Sequence, residues 1–102
     1  MTNTPTRANN FGVMLRKLRR EHGLTMRALG ARVGVSAAYV NDVEHGHRSG
    51  TAGLAAAVAV AFGLDAKPLH VAVALDTGKI HAPEGTTEAE VWAAVEALWG
   101  EP

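Results

Sequence analysis

The chain has 102 residues, 47% of them hydrophobic, with ten lysines and arginines against ten carboxylates and no cysteine. That composition supports one small domain with tails, excludes global disorder, and rules out disulfides and thiolate metal sites. The formal charge of zero hides a split: residues 1–50 hold eight bases and three acids, net +5, while residues 51–102 hold two bases and seven acids, net −5.

Residues 1–9 are polar and free of acids, which predicts a disordered N-terminal arm without the apolar core of a secretory signal. Asn9 or Asn10 then caps a first helix that runs to about His22. Phe11, Leu15 and Leu18 recur at i, i+4 and i+7 as its buried stripe, with Arg16, Lys17 and Arg20 off it. Gly23 ends it. Two short helices follow, hinged at Gly34. The first, about 26–32, has Thr25 as its cap and Leu29 and Val33 facing inward. The second, about 37–45, has Ser36 as its cap and Val40 and Val43 inward, with Gly46 just past its end. Two capped helices joined by a short glycine-containing turn form a helix-turn-helix, and the second helix of that unit enters the major groove when it reads DNA.

Gly46 to Gly50 is a glycine-bounded loop. Thr51 caps a fourth, alanine-rich helix with Leu54, Val58, Ala61 and Phe62 inward, ended by Gly63. The apolar run from Ala52 to Leu64 is 13 residues long, short of the about 20 that span a bilayer. Residues 65–76 admit two readings. Asp65 can cap a helix with Pro68 in its first turn and Leu69, Ala72, Val73 and Asp76 on one face, or Leu69–Leu75 can alternate as a strand of a hairpin. Helix is the favoured reading. Residues 77–86 form a Gly/Pro loop, and Thr87-Glu88-Ala89-Glu90 fits a capping box that opens a last helix over about 88–99. These elements divide the chain into the arm (1–9), a helix-turn-helix domain (10–75) and a C-terminal extension (76–102).

The ordered set Leu18-Arg19, Gly23-Leu24-Thr25, Leu29-Gly30, Gly34-Val35-Ser36, Tyr39-Val40, Val43-Glu44 and Gly46-His47-Arg48, closed by Ala61-Phe62-Gly63-Leu64, resembles the XRE family, the phage Cro and lambda-repressor type of helix-turn-helix. The resemblance covers residues 11 to about 72. It implies an all-α, five-helix domain, here with one further amphipathic helix, and a sequence-specific regulator acting as a dimer. It also implies that Glu44 pairs with Arg19 in a structural role. Three positions depart from the pattern. Met26 stands where a phosphate-binding polar residue is common, Gly30 replaces an alanine, and the loop before the fourth helix lacks a proline.

With Val40 and Val43 inward, the third helix presents Ala37, Ala38, Asn41 and Asp42 as base readers. Asn41 suits an adenine edge, Asp42 a cytosine amino group, and the alanines thymine methyls. Arg27, Ser36, Tyr39 and Arg48 are the phosphate candidates, with Arg16, Lys17 and Arg32 behind them, and the helix N-termini at Thr25 and Ser36 add oriented N–H groups. No metal or cofactor is expected, because His45 and His47 splay at a helix end without a second ligand pair. The sequence offers no nucleophile–base pair and no phosphate-cradling loop, so no enzyme activity is expected.

Val91, Trp92, Val95, Leu98 and Trp99 form the stripe of the last helix. Such an aromatic face needs cover, either from the body of the domain or from a second subunit, and a palindromic operator favours the homodimer. The expected protein is a repressor of double-stranded DNA, cytoplasmic and nucleoid-associated. The alternatives are an antitoxin-like protein whose acidic C-terminal half binds a partner protein, and a protein adaptor that no longer binds DNA.

Overall fold

A computed structural model describes residues 9–99. The expected arm therefore lies outside the described residues except for Asn9, as do residues 100–102. The described residues form six helices and no strand: α1 (Asn10–Glu21), α2 (Met26–Val33), α3 (Ala37–Glu44), α4 (Ala52–Phe62), α5 (Ala66–Asp76) and α6 (Glu88–Trp99).

Local chemistry explains most of the boundaries. Thr25, Ser36 and Thr51 each accept from the backbone N–H three residues on, at 3.0 Å, and Asp65 accepts from Lys67 at the same distance. Gly34 closes α2 with φ +83°, a left-handed conformation that turns the chain into α3 at low cost. Thr87 and Glu90 form the reciprocal box: Glu90 accepts from the Thr87 N–H at 2.9 Å, and Thr87 Oγ1 accepts from the Glu90 N–H at 3.1 Å. The 65–76 segment is helical because the period of 3.6 places Leu69, Ala72, Val73 and Asp76 on one buried face.

The core is continuous through all six helices. Phe11, Met14, Leu15 and Leu18 of α1 meet Leu29, Val40 and Val43 of the helix-turn-helix. Leu54, Ala55, Val58 and Ala59 of α4 join them with Leu69, Ala72 and Val73 of α5 and Val95 of α6. On α4 the inward set is rotated from expectation: Ala55 and Ala59 are buried, while Ala61 and Phe62 lie at the margin. Small side chains there let α4 lie close to both α5 and α2.

The N-terminus of α1 is capped from across the fold. Asn9 stands at the cap position but makes no capping bond, and its amide donates instead to the Glu44 carbonyl at the end of α3, at 3.2 Å. The carboxylate of Asp76, the last residue of α5, takes that place. It accepts from the backbone N–H groups of Asn10 and Phe11 at 2.8 Å each and from the Asn10 side chain at 3.0 Å. A carboxylate at the positive end of a helix is favourable. Burial nevertheless raises the carboxyl above its ordinary range, with the bonds from Phe11 and Asn10 opposing that rise.

Candidate nucleic-acid interface

The helix-turn-helix is built from close contact. A Cβ on Gly30 of α2 would meet the Val35 carbonyl oxygen and the Ser36 backbone, so glycine at this departure from the family pattern is what lets the turn lie against α2. Gly12 does the same between α1 and α3, where a Cβ would meet the Val43 carbonyl oxygen. Met26, which departs from the family pattern by replacing a polar residue, also has a packing role: it is half-buried and lies against the core.

Arg19 and Glu44 lock α1 onto the end of α3. Arg19 Nε donates to Glu44 Oε2 at 2.7 Å and Nη2 to Oε1 at 3.0 Å, while Nη1 donates to the Leu24 carbonyl at 3.1 Å. The side chains are 15% and 1% exposed. The hydrogen bonds to Glu44 hold the guanidinium above its ordinary range, with desolvation working against them. Both carboxylate oxygens and all three guanidinium nitrogens thus have partners, as a buried pair requires.

On this frame α3 turns Val40 and Val43 inward and leaves Ala38 and Asn41 exposed, with Ala37 and Asp42 half-buried beside them. The four expected base readers therefore share one surface. The loop after α3 folds back on its last turn, where the Asp42 carbonyl accepts from the backbone N–H groups of His47 at 2.8 Å and Arg48 at 3.3 Å. The Arg48 guanidinium consequently sits 5.2 Å from the centre of the Tyr39 ring, a cation–π contact that holds both side chains together. Ser36 accepts from the Tyr39 N–H and keeps its own hydroxyl proton free to donate. Arg27 is exposed in the first turn of α2. Ser36, Tyr39 and Arg48 thus cluster at α3, with Arg27 on the neighbouring helix.

Of the three reserve cations, Arg16 is exposed on α1, while Arg32 and Lys17 make contacts elsewhere. Arg32 lies 5.5 Å from the Phe62 ring centre, and His22 packs on the same ring at 4.6 Å. Lys17 pairs with Glu96 of α6 at 3.4 Å on the surface. The His45 and His47 rings stack at 6.2 Å, and His45 Nδ1 lies 2.8 Å from the Asn41 carbonyl. Among the described residues there is no group of three or more histidine and acidic side chains able to hold a metal ion. None of the described helices is long and apolar enough to cross a membrane.

The stripe of α6 finds cover within its own chain. Val95 is 2% exposed in the common core, and Val91, Trp92 and Trp99 are half-buried against it, while Leu98 remains 46% exposed. Sequence reasoning missed Asp76 as a cap and the Tyr39–Arg48 stack. The available signal for Asp76 was a carboxylate on the inward stripe of α5, since a buried acid needs partners.

The sequence model of a family described as the helix-turn-helix domain matches residues 10–71. No curated protein and no solved structure matches the chain. The matched span runs from the first residue of α1 into α5, and with the geometry above it establishes that the chain belongs to the helix-turn-helix domain family.

Proposed function

We propose that the protein is a sequence-specific DNA-binding transcriptional regulator, a dimeric repressor that reads a palindromic operator with α3 in the major groove. The observation that carries this reading is the single surface on which Ala37, Ala38, Asn41 and Asp42 adjoin the Tyr39–Arg48 stack. Asn41 would take an adenine edge by two hydrogen bonds, Asp42 a cytosine amino group, and the alanines thymine methyls. Arg48, Arg27, Tyr39 and Ser36 would position the helix on phosphates, aided by the N–H groups at the starts of α2 and α3. The net +5 of residues 1–50 supplies the counterion-release part of the affinity. Repression is steric: an occupied operator excludes polymerase. The reading involves no catalytic step, metal or cofactor, and it locates the protein at the nucleoid in the cytoplasm.

Two recognition helices must lie about 34–36 Å apart to read a palindrome. On α6, the open edges of Trp92 and Trp99 offer surface to a second copy. A second reading, the antitoxin-like protein that also binds a partner protein, is favoured by one observation. Between Ile80 and Trp99 the chain has four exposed carboxylates, Glu84, Glu88, Glu90 and Glu96, and no lysine or arginine.

Selection from random duplexes, followed by footprinting, tests the main reading by asking for a two-fold symmetric site. On that site Asn41→Ala should relax preference at one base pair by about 1–3 kcal/mol. Arg48→Ala should weaken binding to every sequence and lower the salt slope by about one phosphate. Equal losses on selected and random DNA for Asn41→Ala would refute its reader role.

A further inference from the structure

An apolar groove of about 230 Å³ runs between α5 and α6, roofed by the loop that joins them. Its walls include Val71 and Leu75 of α5, Ile80 and Pro83 of the loop, and Val91 and Leu98 of α6. Ile80 and Leu98 are 44% and 46% exposed, which makes them two of the four large hydrophobic side chains exposed among the described residues. Glu90 stands at the edge, its carboxylate fixed by the N–H and hydroxyl of Thr87. For scale, a dry apolar cavity of about 150 Å³ accepts benzene, so this groove has room for on the order of one or two large apolar side chains.

We infer that this groove docks a basic amphipathic segment of a different protein, which inserts apolar side chains between α5 and α6 and sets lysines or arginines against the surrounding carboxylates. The inference rests on the partner-protein reading and gives it a location and a chemistry. Charge selects the occupant. The loop and α6, residues 77–99, carry four exposed carboxylates against one lysine, Lys79, and of the four only Glu96 is paired, with Lys17. A second copy seated symmetrically in the groove itself would bring like charges together, which is costly across an interface, whereas the dimer surface proposed at Trp92 and Trp99 lies outside the groove's lining. A copy docked head to tail through its basic half would cover the surface of α3 and would not close into a dimer. A helix laid in a groove with apolar anchors at helical spacing is an established mode of recognition. The groove lies on α5 and α6, whereas α3 packs against α1 and α2, so DNA and partner use separate surfaces.

The test titrates the full chain with three synthetic peptides of equal length: a leucine/lysine helix, a leucine/glutamate helix of the same pattern, and an alanine/lysine helix. Calorimetry gives affinities, and amide NMR shifts give the site. The leucine/lysine peptide should bind, with shifts confined to α5, the loop and α6, and the other two should not. Leu98→Asp should weaken that binding by about tenfold, although it adds a negative charge that a purely electrostatic contact would welcome. Ile80→Asp, at the other exposed wall, should do the same. Binding of Ile80→Asp to random duplex at low salt should match wild type, so loss of the DNA reading and loss of this inference are separately visible. Unchanged or tighter peptide binding by Leu98→Asp overturns the inference, as does equal binding of the leucine/glutamate peptide. So does a sedimenting dimer that Leu98→Asp splits.

Discussion

Replacing Glu44 by alanine should unfold the protein more readily than any other single change at the DNA-reading frame. The substitution removes two short hydrogen bonds, at 2.7 and 3.0 Å, from a guanidinium that cannot lose its charge. Arg19 would keep the Leu24 carbonyl at 3.1 Å, but its side chain is only 15% exposed, and the site of the lost carboxylate is 1% exposed. Removing one member of a buried pair costs about 3–5 kcal/mol. The residual access of Arg19 to water puts the expected cost near the lower end. A domain of this size holds about 5–15 kcal/mol in total, and each kcal/mol moves Tm by about 4–8 °C, so Tm should fall by about 12 °C or more. Thermal and urea unfolding followed by far-ultraviolet circular dichroism measure it. Arg19→Met combined with Glu44→Leu should recover most of the loss, because an apolar pair strands no charge. A Tm within a degree or two of wild type for Glu44→Ala would refute the reasoning.

Two further changes probe the frame. Gly30→Ala should destabilise despite alanine's helix propensity, worth about 1 kcal/mol. The added Cβ meets the Val35 carbonyl oxygen and overpacking costs about 1–3 kcal/mol, so a raised Tm would mean that α2 and the turn are less close than described. Asp76→Asn isolates a pH dependence. A carboxyl raised in the fold binds its proton more tightly there than in the unfolded chain, so its contribution is fullest below the usual carboxylate range and declines as pH climbs through the folded value. The stability difference between wild type and the asparagine variant, read from urea midpoints between about pH 4 and 7, should therefore shrink as pH rises. A difference that grows with pH would mean that the three hydrogen bonds outweigh burial.

The C-terminal extension bears on how the protein is organised. The expected boundary at residue 75 divides α5 from its last residue, Asp76, whose carboxylate caps α1, and α6 returns to the same core through Val95. The extension therefore supplies both a cap to the first helix and a side chain to the core. An acidic surface is thereby carried on α6 while the basic surface remains with the helix-turn-helix.

What the sequence by itself determined is what local chemistry decides. The caps at Thr25, Ser36, Thr51 and Thr87, the turn at Gly34, and the inward faces of α1 and α3 depend on neighbours within a few residues, so spacing alone makes them legible, whereas spacing left 65–76 open between helix and strand until the fold buried one helical face of α5. The reading face of α3 followed from the burial of Val40 and Val43. What only the tertiary structure decided is what depends on distant partners. Asn9 looks like the cap of α1, yet Asp76, 66 residues beyond Asn10, takes that role, because the folded core brings the end of α5 against the start of α1. Gly30 reads as a weak helix residue until the Val35 carbonyl is seen where a methyl would stand. The stripe of α6 announces only that it must be covered. Which surface covers it depends on the shape of the whole core, and in this fold Val95 enters that core while Leu98 remains beside an open groove.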